Sequence, residues 1–261
     1  MIVPDIDSLV VRLRRAGCVF AEEEAALLMA AASSPGELET LVAQRISGVP
    51  LEHLLGWAEF RGLRVAVAAG VFVPRRRTEY LVAQAVARGG ADAVVLDMCC
   101  GSGALGLAVA TELSAAGIAV ELVASDIEPA ATACARRNLA PLAARVVQGD
   151  LFAPLPADLA GRVTLLLANT PYVPSGMVEQ MPPEAREHEP RSALDGGPDG
   201  LDIARRVAAD APHWLAPGGH LFIETGHSQA ATAAEIFTDT GLTPTIAESE
   251  EYYATVVIGT R

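Results

Sequence analysis

Two apolar segments of this chain end abruptly in residues that suit a bound ligand. The first, Val94–Met98, runs into Cys99-Cys100-Gly101-Ser102-Gly103, and the second, Leu165–Ala168, runs into Asn169-Thr170-Pro171-Tyr172. In an open α/β sheet, ligands bind at the carboxyl ends of the strands. We therefore predict two halves of one active site. The glycine-rich half would bind a nucleotide, and the Asn-x-Pro-Tyr half would hold the group to be modified.

The glycine-rich loop fits more than one nucleotide ligand. Gly101 and Gly103 can adopt positive φ and let the backbone approach a ligand closely. With Gly106 they match the dinucleotide fingerprint, and Asp126 follows at about the 20-residue spacing of a ribose-binding acid. The same layout, with Asp97 leading into the loop, also suits S-adenosylmethionine. A strand-to-helix turn without a ligand stays open, whereas a P-loop is excluded because no Gly-Lys-Ser/Thr follows.

A third strand end favours a nucleoside bound across neighbouring strands. Arg145–Gln148 runs into Gly149-Asp150-Leu151, again ending on an acid. A nucleoside held across these ends would use Asp126 for the ribose hydroxyls and the region of Asp150 and Leu151 for the adenine. A single Asp after a strand is equally typical of a turn, so this alternative remains open for Asp150.

The Asn169 turn carries the residues suited to methylating a planar nitrogen. An amide or exocyclic amine is a poor nucleophile because its lone pair is delocalised. The Asn169 side-chain oxygen and a backbone carbonyl, that of Thr170, can accept its two protons and aim the nitrogen at a methyl donor. Pro171 favours an extended Thr170, and Tyr172 offers a flat face to the amide or base. A simple strand-to-loop turn is the alternative.

Several further motifs carry a family resemblance that extends from about Val49 to the C-terminus. They are Pro50–Gly56, Phe60–Leu63, Val73–Arg75 with Thr78-Glu79, and the loop Glu189–Leu201. With the two strand-end motifs, the chain resembles the HemK-type protein-(glutamine-N5) methyltransferases, which modify the Gly-Gly-Gln glutamine of peptide-chain release factors. Thr170 stands where this family has Pro, Cys99-Cys100 where it usually has Gly-Thr, and Arg76-Arg77 where it usually has Pro-Glu. These departures indicate a diverged paralogue.

The resemblance and the strand-end pattern together give a set of expected site residues. S-adenosyl-L-methionine is the expected cofactor, and a protein such as a release factor is the expected substrate. The expected cofactor contacts are Asp97, Cys99, Cys100, Gly101, Ser102, Gly103, Asp126, Asp150, Leu151 and Asn169. Asn169, Pro171 and Tyr172 are the expected catalytic residues, and with Thr170 they would bind the substrate.

The hydrophobic periodicity predicts an α/β fold with a doubly wound, mostly parallel sheet. Residues 1–48 are expected to form a small helical domain, residues 49–73 a β-hairpin linker, and residues 74–261 the methyltransferase domain. Expected strands are Ala93–Asp97, Val120–Asp126, Arg145–Gln148, Val163–Ala168, His220–Thr225 and Thr255–Thr260. Val173–Gly200 is long for a connection, so we expect a lid or substrate groove there. Glu224-Thr225-Gly226-His227 either supports the pocket or forms a turn without contact to it.

Composition narrows the choice of partners. The net charge of −13 and the pI near 4.8 oppose a broad nucleic-acid-binding surface. The clusters Arg75–Arg77 and Arg136-Arg137 are then solvated charges or contacts to an acidic protein. The four cysteines lack metal-site spacing, and Met1–Asp5 lacks the features of a signal peptide, so no metal, no membrane and a cytoplasmic location are expected.

Three other functions remain as alternatives. A non-catalytic S-adenosylmethionine-binding protein would explain the departures at Thr170 and Cys99-Cys100. An N-methyltransferase for adenine or a small molecule would use the same Asn169 turn. A dinucleotide-dependent oxidoreductase would share the glycine loop but has no use for the Asn169 turn.

Overall fold

A computed structural model of the protein describes residues 5–261. The first four residues, which contribute to the argument about a signal peptide, lie outside the described residues. The strands are β1 (Trp57–Phe60), β2 (Leu63–Ala66), β3 (Asp92–Met98), β4 (Ala119–Asp126), β5 (Arg145–Gln148), β6 (Val163–Ala168), β7 (Leu215–Thr225), β8 (Thr243–Ser249) and β9 (Ala254–Thr260). The α-helices are α1 (Ile6–Arg15), α2 (Ala21–Ala31), α3 (Pro35–Ile46), α4 (Leu51–Leu55), α5 (Glu79–Val86), α6 (Ala104–Ala115), α7 (Pro129–Leu139), α8 (Pro183–His188), α9 (Asp202–Trp214) and α10 (Ala230–Asp239).

The strands β3 to β9 form one seven-stranded sheet in the order β5-β4-β3-β6-β7-β9-β8. β3 to β7 pair in parallel, and β9 pairs antiparallel with both β7 and β8. The chain order reverses between β3 and β6, which is where such sheets bind ligands. The expected doubly wound, mostly parallel sheet is confirmed.

Both faces of the sheet are covered, which explains why its central strands are nearly continuous apolar runs. On one face, α5, α6 and α7 pack over side chains such as Val95, Leu165 and Phe222. On the other face, α9 and α10 pack over Leu96, Leu166 and the neighbouring positions. Alternate residues of one strand therefore enter different cores. This alternation decides which strand-end side chains reach the ligand-binding edge.

The N-terminal helices α1, α2 and α3 pack around their own apolar cluster. Helix α3 begins where the sequence indicates: Ser34 caps it by accepting a hydrogen bond from the Glu37 amide, and Pro35 occupies its first turn. Leu51, Leu54 and Leu55 of α4 also pack against this cluster. The division of the chain at residues 48 and 73 stays a prediction.

The structure differs most from the expected elements in the hairpin, in β7 and in β8. The hairpin is confined to β1 and β2, with Arg61 and Gly62 in its turn. β7 begins at Leu215 rather than at the expected His220, because Leu215 also pairs with Val163 of β6, one register shift before His220 pairs with Leu165. β8 was not predicted, since its side chains are largely exposed at the sheet edge and show no apolar run. Within residues 5–261, no helix combines the length and apolarity needed to span a membrane.

Candidate active site

A cleft of about 310 Å³ lies at the carboxyl ends of β3, β4, β5 and β6. Both motifs found in the sequence contribute to its wall. The expected site residues that line it are Cys99, Cys100, Gly101, Ser102, Asp126, Asp150, Leu151, Asn169, Thr170, Pro171 and Tyr172. The structure therefore brings the nucleotide half and the acceptor half together around one space.

Asp97 and Gly103 do not line this cleft and instead support the loop. The buried Asp97 carboxylate accepts a hydrogen bond from the Gly106 amide at 2.8 Å, and burial raises the pKa of Asp97 to about 8. A Cβ at Gly106 would lie 2.9 Å from an Asp97 oxygen, so only glycine permits this contact. Gly103 has φ +78 and begins α6 close to Ala135. Both residues therefore support the glycine-rich loop on the side that faces away from the cleft.

Asp126, the last residue of β4, organises the front of the loop. Its carboxylate accepts hydrogen bonds from the amides of Gly101, at 2.8 Å, and Glu128, at 2.9 Å. Burial raises the pKa of Asp126 despite these bonds. Each carboxylate oxygen retains a second lone pair, so Asp126 can also accept from a ligand in the cleft.

The two cysteines of the loop are thiols with little nucleophilic character. Burial raises the pKa of both Cys99 and Cys100 well above the ordinary thiol value, and nearby carboxylates raise it further. Cys99 has φ +54, a left-handed conformation that glycine adopts more easily. Behind the loop, the Asn138 side chain donates to the Ser102 carbonyl at 2.8 Å. This amide holds the loop in place, and the sequence analysis did not single it out.

Asp150 and Leu151 form another part of the cleft wall. The half-exposed Asp150 side chain forms an ion pair with Arg206 at 2.7 Å. Leu151 has φ +45 and packs partly against the core under α9. The region is thus apolar on one side and charged on its outer side.

The acceptor half contains a buried hydrogen-bond acceptor that the fold leaves free. Asn169 follows the last residue of β6, and in the part of the chain that the structure describes its Oδ1 atom has no hydrogen-bond partner. Thr170 is buried next to it, and its hydroxyl also lacks a partner among residues 5–261. A buried polar atom of this kind is normally satisfied by a protein group, water or ligand. In this cleft a ligand N–H group would satisfy Asn169.

Tyr172 is held at both ends, by Glu224 at the end of β7 and by Gln229 just after that strand. Its hydroxyl donates to Glu224 at 2.9 Å, and its carbonyl accepts from the Gln229 side-chain amide, also at 2.9 Å. Gly200 packs against the same carbonyl, where a Cβ would come within 2.3 Å. Of the two interpretations of the Glu224 segment, the structure therefore supports contact with the pocket. Gln229 was missed, although its position three residues after Gly226 is typical of a local cap.

The segment from residue 173 to 200 is built against the acceptor turn and forms part of the cleft wall. The Val173 amide donates to the Leu194 carbonyl at 3.0 Å, and the Gly196 amide donates to the Val173 carbonyl at 2.9 Å. The Glu189 side chain, 0% exposed, binds Arg75 at 2.7 Å and the Val73 amide at 3.1 Å. The long loop is thus attached to the linker on one side and to the acceptor turn on the other.

Comparisons with known proteins show which family this chain resembles in sequence and in fold. Residues 63–181 match the family model described as Methyltransferase small domain. A release factor glutamine methyltransferase of Geobacter sulfurreducens is 42% identical over 203 residues, which cover 77% of this chain and 69% of that protein. A 4-amino-L-phenylalanine/4-methylamino-L-phenylalanine methyltransferase of Streptomyces pristinaespiralis is 35% identical, covering 80% of this chain and 76% of that protein. The crystal structure of a Pyrococcus furiosus methyltransferase superposes with a TM-score of 0.57 at 16% identity, covering 77% of this chain and 90% of that one.

The chain belongs to the release factor glutamine methyltransferase family. The resemblance seen in the sequence is thereby confirmed, and the enzyme is an S-adenosylmethionine-dependent N-methyltransferase. Its residues fit this cofactor, because a partly buried carboxylate at the end of β4 and a glycine loop share one cleft with the Asn169 Oδ1 atom, which has no partner within residues 5–261. Asp126 would bind the ribose, Leu151 would contact the adenine, and Gly101 would approach the remaining part of the molecule. These individual contacts stay predictions.

Proposed function

We propose that this methyltransferase transfers a methyl group to the side-chain amide nitrogen of a glutamine in a peptide-chain release factor. The observation that carries the proposal is the buried Asn169 Oδ1 atom, which has no partner within residues 5–261 and lies across one cleft from Asp126. Its environment suits a planar group that donates hydrogen bonds. The names of the most similar relatives support a protein glutamine as that group.

The proposed chemistry follows from the arrangement of the acceptor turn. Asn169 Oδ1 accepts one proton of the glutamine –NH₂ group, and the Thr170 carbonyl accepts the other. Both contacts strengthen as positive charge develops on the nitrogen, which stabilises the transition state more than the ground state. Tyr172 packs against the flat amide and keeps its nitrogen in line with the cleft.

The bond changes in this reaction need no metal ion from the protein. S-adenosylmethionine supplies an electrophilic methyl group bound to a sulfonium sulfur. The amide nitrogen forms the new N–C bond while the C–S bond breaks, and the nitrogen then loses one proton to solvent. The sulfonium leaving group already makes the methyl transfer favourable. The residues of the acceptor turn therefore contribute by positioning the amide nitrogen and by accepting its hydrogen bonds.

Replacement of Asn169 by alanine separates binding from chemistry. We expect Asn169→Ala to retain its affinity for S-adenosylmethionine and to lose methyl transfer to release factor by about 10²–10³-fold, as when one preorganised polar contact to a reacting group is removed. Gln180→Ala is the matched control, because it removes an exposed side-chain amide from the same loop outside the cleft wall. Full activity of Asn169→Ala would contradict the mechanism.

The methyl acceptor is tested in the same assay with radiolabelled cofactor. Intact release factor, adenine-containing DNA and 4-amino-L-phenylalanine are offered separately. The amino acid is included because of the Streptomyces relative, whose named substrate also carries a planar amino group. Label on release factor, lost when its Gly-Gly-Gln glutamine is replaced, supports the proposal. Label only on the amino acid or on DNA would refute the proposed substrate.

We also propose a cytoplasmic location and no role for a nucleic acid as substrate. The net charge of −13 opposes binding to phosphate backbones. The cysteines Cys18, Cys99, Cys100 and Cys134 are all free thiols, which suits a reducing compartment. Cell fractionation with an antibody against the protein tests the location directly.

A further inference from the structure

The side chains of Tyr172, Glu224 and Arg77 all contact one another, and the proposed chemistry does not itself require these contacts. Glu224, at the end of β7, is 2% exposed, and its Oε1 atom accepts the Tyr172 hydroxyl at 2.9 Å. The same atom lies 3.0 Å from Nε of Arg77. The Arg77 guanidinium also lies over the Tyr172 ring, 5.2 Å from its centroid. Each of the three side chains therefore contacts the other two.

Burying the Glu224 carboxylate beside the Tyr172 ring costs desolvation free energy. Burial raises the pKa of Glu224, and Arg77 opposes that shift. The second carboxylate oxygen of Glu224 is buried and makes no hydrogen bond of ordinary geometry in the described part of the chain, although the nearby Thr78 hydroxyl also opposes the rise in the pKa of Glu224. Apolar residues of similar volume are often at least as stabilising as a buried ion pair. The arrangement is thus poorly explained by stability, and its position beside the acceptor turn indicates a role there.

We propose that Arg77 and Glu224 are positioning residues that fix the Tyr172 ring against the methyl acceptor. The inference rests on the proposed function, since it places the acceptor at the Asn169 turn. A hydrogen bond from a hydroxyl to a carboxylate is stronger than one between neutral groups, and it sets the tilt of the ring. The guanidinium covers one ring face, which leaves the opposite face for the flat acceptor.

The backbone at Tyr172 makes this control of the ring effective. Its carbonyl is already held by Gln229, so the main chain and the hydroxyl are fixed independently. Ring orientation then depends on Glu224, and Arg77 holds the same Glu224 oxygen that accepts the Tyr172 hydroxyl. A misplacement of about 1 Å at a reacting group lowers a rate by about 10²-fold. Loss of either positioning residue should therefore appear in turnover rather than in cofactor affinity.

The arginine cluster offers a matched pair of variants. Arg76 and Arg77 share one short 3₁₀ turn, and both side chains are exposed to a substantial degree. Arg77 forms the ion pair with Glu224, whereas Arg76 forms no ion pair with any residue in the range 5–261. Arg76→Gln and Arg77→Gln remove the same charge from neighbouring positions. Only the second change disturbs Tyr172.

The experiment compares five purified variants with the unaltered enzyme. They are Arg76→Gln, Arg77→Gln, Glu224→Gln, Tyr172→Phe and the double variant Tyr172→Phe/Glu224→Gln. We measure kcat and KM for the methyl acceptor, and the Kd for S-adenosylmethionine by calorimetry. We expect Arg77→Gln, Glu224→Gln and Tyr172→Phe to lower kcat by about 10- to 100-fold with an unchanged cofactor Kd. Arg76→Gln keeps full activity, and the double variant is no slower than the slower single variant.

Several outcomes would overturn the proposal. Multiplying losses in the double variant would mean that Tyr172 and Glu224 act independently, and equal losses for Arg76→Gln and Arg77→Gln would indicate a general charge effect. Unchanged turnover in folded Tyr172→Phe would remove its hydroxyl from the argument. This variant also decides the question if Glu224→Gln does not fold, because it leaves the carboxylate in place. Failure of the proposed function is distinct: the unaltered enzyme then methylates no glutamine, and the same variants are measured on the acceptor that is found.

Discussion

The sharpest quantitative prediction concerns Asp126 and the affinity for the cofactor. Its carboxylate holds the Gly101 and Glu128 amides and faces the cleft. A hydrogen bond to a charged group contributes about 1.5–3 kcal/mol, which corresponds to about 10- to 150-fold in Kd. We expect Asp126→Ala to weaken S-adenosylmethionine binding by this factor. Asp126→Asn should give a smaller loss, because it keeps one acceptor oxygen but places an –NH₂ group among amide donors.

Calorimetric titration with S-adenosylmethionine measures the effect, and a thermal melt shows that each variant is folded. Asp158→Ala is the control: its half-exposed carboxylate pairs with surface arginines outside the cleft. In the predicted contact, the ionised form of Asp126 would accept the ribose hydroxyls, and burial raises its pKa. Binding should therefore weaken on acidification before an ordinary aspartate is protonated, and Asp126→Asn should lack this dependence. An unchanged Kd in folded Asp126→Ala would refute the assignment.

Three further predictions concern stability. Asp97 has a pKa of about 8 in the fold and 3.8 when unperturbed, so unfolding free energy should fall as pH rises between these values; Asp97→Asn, which can still accept from Gly106, should show a shallower fall in urea titrations. Cys99→Val should lower the unfolding free energy by about 1–3 kcal/mol, since a β-branched residue is strained at φ +54, whereas Cys99→Gly should not. Glu189→Ala should destabilise by about 1–3 kcal/mol because the buried Val73 amide loses its acceptor, and Glu189→Gln should recover part of the loss. A wild-type melting curve for Glu189→Ala would contradict that estimate.

Much of the fold was predictable because apolar periodicity reports burial directly. The strands Arg145–Gln148 and Val163–Ala168 have the bounds that the sequence indicated. β8 was not predictable in this way, because an exposed edge strand is stabilised by its pairing with β9 rather than by an apolar face of its own. Its formation depends on a partner strand that single-segment patterns do not contain.

At the site, too, the sequence alone does not show which of the two carboxylates, Asp97 or Asp126, reaches the cleft. Asp97 and Asp126 look equivalent in sequence, and both were expected to contact the cofactor. β3 continues to Met98, so Asp97 lies one residue inside the strand and points toward α6, where it meets Gly106. Asp126 ends β4 and reaches the cleft. Because side chains alternate between faces along a strand, a shift of one residue changes the role of a carboxylate.

The three arginines of the cluster 75–77 look alike in sequence, but their tertiary contacts differ. Its three members were expected to be solvated or to bind an acidic protein. Arg75 instead pairs with buried Glu189 of the segment 173–200. Arg77 pairs with buried Glu224 beside the acceptor turn, and Arg76 remains exposed. The arginine cluster before α5 therefore forms ion pairs with the segment 173–200 and with the end of β7, but not with Asp97 or Asp126. Substitutions of Arg75 or Arg77, but not of Arg76, should therefore alter the choice and handling of the methyl acceptor while leaving cofactor affinity unchanged, as expected when the substrate diverges within one methyltransferase fold.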